Sequence, residues 1–208
     1  MLNINNCNIS YFWLTKFKLL RNLFVIVCFV SAKSTPTLGQ DRTTAFKRAA
    51  SLDNGISISW LEQTWEANTL NQKHVTPADF KLLKKLGFRS LRLPVAFEHY
   101  QAKLIPMETV LKRIDEVWKQ CNQNGLKLVI VYHYGSLNDT NYVAETQVII
   151  KTWSLLTRKF LSIPADKLFF EIYNEPPPMN PQLWKDAAYN IVTAIRKIDK
   201  KRTLLVGA

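Results

Sequence analysis

Leu168-Phe169-Phe170-Glu171-Ile172-Tyr173-Asn174-Glu175-Pro176 is an apolar run that stops abruptly at an amide, a carboxylate and a proline. The run is short and rich in aromatic and β-branched residues, as a strand buried on both faces should be. A carboxylate and an amide side by side at the exit of such a strand serve a core poorly and a catalytic acid well. Upstream, Leu126-Lys127-Leu128-Val129-Ile130-Val131-Tyr132 has the same near-continuous apolar character, and Phe88 to Val95 resembles it.

Between these runs the period changes from two to 3.6. Met107 to Asn124 places Val110, Leu111, Ile114, Val117 and Trp118 on one helical face and stops at Gly125. Thr76-Pro77-Ala78-Asp79 opens another helix, with Thr76 as N-cap, Pro77 at the first helical position and Gly87 as the stop. Glu145 to Leu161 and Pro181 to Asp199 read as helices; Gly55 to Trp60 and Thr203 to Val206 read as strands. Buried strands alternating with helices form parallel βα units. A doubly wound sheet would call for a glycine-rich phosphate turn, and a chain with 6 glycines and no GxGxxG offers none. The expected fold is therefore an α/β (β/α)8 TIM barrel, truncated after about the fifth strand. Such barrels put their chemistry at the C-terminal ends of the strands.

Polar residues of three successive strands fall there. Arg92 lies in Leu91-Arg92-Leu93-Pro94, His133 follows Tyr132, and Asn174-Glu175 ends the next strand. A general acid for a glycosidic oxygen must hold its proton near neutral pH, above the ~4.3 of free Glu, and partial burial or a like-charged neighbour supplies that shift. An adjacent Asn can donate to a sugar hydroxyl in the oxocarbenium-like transition state. Arg92 can orient a second, ionised carboxylate, and His133 can bind a sugar hydroxyl or join that network. Trp60, Trp65, Phe97, Tyr100 and Tyr134 are aromatic residues near the strand exits that can serve as platforms for sugar rings.

Gly55-Ile56-Ser57-Ile58-Ser59-Trp60-Leu61-Glu62, Leu91 to Val95, Val129 to Tyr134 and Ile172 to Pro176 together resemble family 5 glycoside hydrolases, the cellulase-type retaining enzymes. The resemblance covers roughly residues 45 to 208. It implies Glu175 as acid/base, Asn174 as its hydroxyl-binding neighbour, Arg92 as partner of the nucleophile and His133 as a substrate-binding histidine. Glu62 and Trp65 fall where some members contact the sugar, and Tyr134 stands where members often carry a second histidine. The resemblance also places the nucleophilic Glu on a seventh strand, and the acids after Glu175 are Asp186 and Asp199 alone, both expected on the next helix and facing away. The 208 residues thus read as the N-terminal portion of a β-1,4-glucan-cleaving endo-hydrolase, inactive without the nucleophile. A β-mannanase, xyloglucanase or mixed-linkage glucanase of the same mechanism fits too, as does a non-catalytic carbohydrate-binding half barrel. The expected partner is a polysaccharide; no cofactor, metal or obligatory protein partner is expected.

The N-terminus carries a different signal. Lys16, Lys18 and Arg21 precede the apolar run Leu23 to Val30, in the order of a secretory signal peptide and well short of the ~20 residues that span a bilayer. Cleavage after Ala32 or just after Gly39 both fit, so residues 1–40 read as signal and short linker, residues 41–208 as catalytic domain, and the protein as secreted or periplasmic. The net charge of +12 falls to +8 without the first 40 residues, and the remaining Lys and Arg lie scattered on helix faces with no nucleic-acid motif. Cys121, alone beyond that segment, reads as a small buried apolar residue.

Overall fold

The computed structural model describes residues 38–64, 70 and 75–207, with side chains described from residue 43 onward. Residues 1–37 of the segment read as export signal and linker, and Trp65, lie outside the described residues. In chain order the elements are α1 (Leu38–Ala50), β1 (Gly55–Ser57), α2 (Pro77–Lys85), β2 (Ser90–Val95), α3 (Phe97–Ala102), α4 (Met107–Gln123), β3 (Lys127–Tyr132), α5 (Tyr142–Lys159), β4 (Leu168–Glu171), α6 (Pro181–Ile198) and β5 (Leu204–Leu205). The strands form one 5-stranded sheet in the order β1-β2-β3-β4-β5, every pairing parallel. Strand order never reverses, so the sheet has no switch point of the doubly wound kind and is an arc of a barrel.

The local signals act as their chemistry predicts. Asp79 Oδ2 accepts from the Thr76 backbone N–H at 2.7 Å and from its hydroxyl at 2.8 Å. The backbone bond first, then the hydroxyl, hold the Asp79 carboxyl below its ordinary value. Gly87 and Gly125 end their helices with φ of 92° and 65°, a region costly for any residue with a Cβ. Elsewhere the boundaries move for identifiable reasons. α5 begins at Tyr142 rather than Glu145, because Asn138 Oδ1 and Asn141 Oδ1 collect the backbone N–H groups of Thr140, Asn141 and Asn138 at 2.7 to 3.2 Å. β4 ends at Glu171 rather than Tyr173, because the Trp153 indole N–H takes the Ile172 carbonyl at 2.9 Å. α1 and α3 were not expected from the sequence pattern.

Two cores flank the sheet. On the helix side, Leu91, Leu93, Leu128, Ile130, Leu168 and Phe170 pack against Ile114, Trp153, Leu156, Ile191 and Ile195, all fully buried. Each such side chain contributes roughly 1.5–3 kcal/mol relative to exposure. On the inner face Val129, Val131 and Phe169 pack with Leu52 and Leu205. The segment after α1 ties off the N-terminal strand edge: Ser90 Oγ donates to Leu52 O at 2.8 Å and Lys127 Nζ to Ser51 O at 2.8 Å. Arg202 locks the far side. It is 1% exposed, pairs with Asp199, and donates to the carbonyls of Phe160, Ile163, Pro164 and Leu168. With the N-terminal edge so occupied, the opposite edge is left for polar residues that need access.

Candidate active site

Parallel register fixes which residues share the inner face. Arg92 pairs with Val129, Val129 with Phe169, and Val131 with Glu171. Side chains alternate along a strand, so Arg92, Val129, Val131, Phe169 and Glu171 all point inward, with Glu171 one inward step nearer the C-terminal edge than Arg92. Just beyond that edge the ladder continues by one bond at each strand. His133 N–H donates to Val95 O at 3.0 Å, and Asn174 N–H donates to Tyr132 O at 2.8 Å. The backbone thereby sets His133 and Asn174 side by side.

Their side chains join one charged network. Arg92 Nε donates to Glu171 Oε2 at 2.9 Å and Nη2 to Glu171 Oε1 at 2.6 Å. Nη2 also donates to Asn174 Oδ1 at 2.7 Å. Because the amide oxygen is committed, the Asn174 amide N–H groups remain as donors. His133 Nε2 stands 3.3 Å from Glu62 Oε2, with both side chains largely buried. Burial pushes the His133 imidazole below its ordinary value, with Glu62 pulling the other way; hydrogen bonding to Glu171 raises the already high Arg92.

A row of aromatic rings supports the network from the helix side. Centroids are 5.4 Å apart for Phe97 and Tyr132, 5.8 Å for Tyr132 and Tyr173, and 5.7 Å for Tyr173 and Trp184. Such contacts favour one geometry over its neighbours. Glu98 braces the same row, accepting from Tyr132 Oη at 3.0 Å and from the Ser136 backbone N–H at 2.8 Å. Between them lies Tyr134, which is 41% exposed and has a φ of 54°, in the left-handed region. Its ring lies parallel to His99, 5.2 Å between centroids, and edge-on to His133 at 3.9 Å. His99 is held in turn by Thr64, with Oγ1 and Nδ1 2.8 Å apart.

Residues 51–208 match the family model for cellulase, glycosyl hydrolase family 5. The chain belongs to that family. Among curated proteins, Endoglucanase 3 of Fibrobacter succinogenes (strain ATCC 19169 / S85) is 28% identical over 180 residues, 75% of this chain and 27% of the relative. Among solved structures, endoglucanase Cel5A from the hyperthermophilic Thermotoga maritima superposes with a TM-score of 0.67 at 27% identity, covering 79% of this chain and 54% of that one. The Thermotoga enzyme has also been solved with mannotriose, at 26% identity, a TM-score of 0.65 and the same coverage. The chain spans about half the length of these solved relatives and about a quarter of the curated one.

Within this family 5 chain the residues singled out from sequence separate into groups. Arg92, His133, Asn174 and Glu62 converge, and Tyr134 stands at their rim. Glu175 is exposed and makes no hydrogen bond or ion pair with any described residue. The second carboxylate held by Arg92 is Glu171, a residue the sequence reading left as part of a strand. Its signal was there: a charged residue at an inward position, two along from Phe169. Glu98, His99 and Thr64 gave no comparable signal, because their roles depend on contacts between distant segments. Trp60, Phe97 and Tyr100 are buried at 6%, 0% and 2% exposure, so none of the three is a sugar platform. Tyr100 instead donates its hydroxyl to Leu61 O at 3.0 Å. Asp186 lies on α6, and Asp199, just past its end, is spent on Arg202. Among the described residues no group of three His, Cys, Asp or Glu side chains is placed to hold a metal ion, and no helix is long and apolar enough to cross a membrane.

Proposed function

We propose that this chain is the N-terminal portion of an exported, retaining endo-hydrolase acting on β-1,4-glucan. The observation that carries the reading is the bond from Arg92 to Asn174 Oδ1 at 2.7 Å, which commits the amide oxygen and leaves the N–H groups of Asn174 as its donors. In the mechanism, a sugar hydroxyl accepts from Asn174 and another contacts His133, which aligns the scissile bond over Glu175. Glu175 donates its proton to the leaving oxygen as the C1–O bond breaks and a second carboxylate attacks C1. Glu175 then takes a proton from water as that water displaces the carboxylate. Glu171, held by Arg92 through both oxygens, is not assigned that role, because the family resemblance puts the nucleophile on a later strand. The nucleophile is assigned to a strand not contained in these 208 residues, so on their own they are expected to bind glycan without turning it over.

The test is Glu175→Gln in a chain carrying the whole barrel. Activity on carboxymethylcellulose should fall by about 10²–10⁴-fold, the usual contribution of a general acid. Cleavage of an aryl cellobioside, whose leaving group needs no proton, should be largely spared in the first step. Normal activity of the variant on the polymer would sink the acid/base assignment.

A β-mannan substrate is a second reading, supported by the mannotriose complex of the Thermotoga relative. Comparing gluco- and manno-oligosaccharides of equal length separates the two.

A further inference from the structure

The start of α5 and the middle of α6 leave between them a groove of about 310 Å³, lined by none of the residues around Arg92. Tyr189 forms one wall and is 72% exposed; Tyr142, half-buried, lies across from it. The polar lining comes from Gln147, Asp186 and Asn190 on the rim and Thr146 on the floor. Among the described residues the side-chain amides of Gln147 and Asn190 make no hydrogen bond. The Thr146 hydroxyl is buried without a partner in a residue only 2% exposed. A buried hydroxyl without a partner is uncommon in a folded chain, and an incoming polar group can satisfy it.

We infer that this groove is a second glycan-binding site, taking a short stretch of neutral β-linked sugar through Tyr189, Gln147 and Asn190. The chemistry of the lining selects that class. No Lys or Arg lines the groove and Asp186 does, which disfavours phosphate or nucleic acid. A single carboxylate, with Oδ1 already accepting from Gln182 Nε2 at 2.9 Å, is too few ligands for a hard cation. An apolar helix would need a continuous apolar stripe, and here polar side chains interrupt it. A sugar ring has what remains: a flat C–H face for Tyr189 and a rim of hydroxyls that both donate and accept. The choice of a β-linked glycan rests on the proposed function, whereas the site itself shares no residue with it.

The test titrates the 208-residue chain with cellohexaose, and in parallel mannohexaose, reading backbone amide shifts by NMR and affinity by calorimetry. The inference expects shifts at Tyr142, Gln147, Tyr189 and Asn190 as a group separate from those at His133 and Asn174. Tyr189→Ala should weaken the groove event about tenfold by removing the ring's apolar contact, with Tyr189→Phe close to wild type. Tyr134→Ala should leave the groove event unchanged. Shifts confined to His133 and Asn174 would overturn the second site and leave the proposed function standing. Shifts confined to the groove would do the reverse. Absence of both, or an unaltered groove event in Tyr189→Ala, would also overturn the inference.

Discussion

Arg92 grips Glu171 with two parallel bonds of 2.9 and 2.6 Å and spends the remaining proton of the same nitrogen on Asn174. A planar guanidinium can do this and an ammonium cannot. The pair therefore fixes Asn174, through one atom, to a strand two positions away in the sheet.

Replacing Arg92 should act on both fold and site. Arg92→Met leaves a largely buried Glu171 carboxylate without its partner, at an expected cost of about 2 kcal/mol. Arg92→Lys keeps the charge and loses the fork, so it should recover part of the stability but not the orientation of Asn174. Urea unfolding measures the first effect, and the NMR shifts of the Asn174 side-chain amide measure the second. Equal amide shifts in wild type and Arg92→Lys would refute the orienting role.

His133 predicts a pH dependence with a definite sign. Burial holds the folded imidazole below the ordinary 6.5, against the attraction of Glu62. As pH falls, the unfolded chain binds a proton at this residue before the folded one does. The stability contribution of His133 is thus intact above about 6.5 and declines as pH drops through the lower folded value. The urea midpoint should fall between pH 7.5 and 5 more steeply in wild type than in His133→Gln. A His133 ring titration centred above 6.5 would contradict the prediction.

Gly135 should tolerate no side chain. A Cβ there would stand 2.4 Å from Tyr173 Oη and 2.5 Å from Cε2. Gly135→Ala must push the Tyr173 ring, costing about 1–3 kcal/mol by overpacking. Because Tyr173 directly precedes Asn174, glycan affinity should weaken along with thermal stability. Unchanged Tm and affinity would show that the loop yields instead.

Cys121 should be chemically silent while the chain is folded. Its thiol is fully buried and burial pushes it up to about 12, so little thiolate forms near neutral pH. Alkylation at pH 8, followed by peptide mass mapping, should leave Cys121 unmodified until denaturant is added.

Read along the chain, the residues carry much of this. Thr76, Pro77 and Asp79 open a helix and Gly87 closes it by local chemistry alone, and the apolar runs ending at Tyr132 and Tyr173 mark strands wherever they pack. The position of His133 and Asn174 at strand exits was likewise legible, because alternating βα units leave one edge for polar residues; Arg92, expected at an exit, instead stands in mid-strand, third of the six residues of β2. What the residues alone did not determine was who faces whom. Glu171 becomes the partner of Arg92 only through a register that runs across β3. Phe97 and Tyr100, read as sugar platforms, go into the core because an unforeseen helical turn carries them there. Tyr134 stays at the rim because His99, Glu98 and Thr64, all from other segments, hold it in a left-handed backbone. Local propensity acts within a few residues, whereas register, burial and partner choice are free energies of contact between segments far apart in sequence, and only the folded chain assembles them.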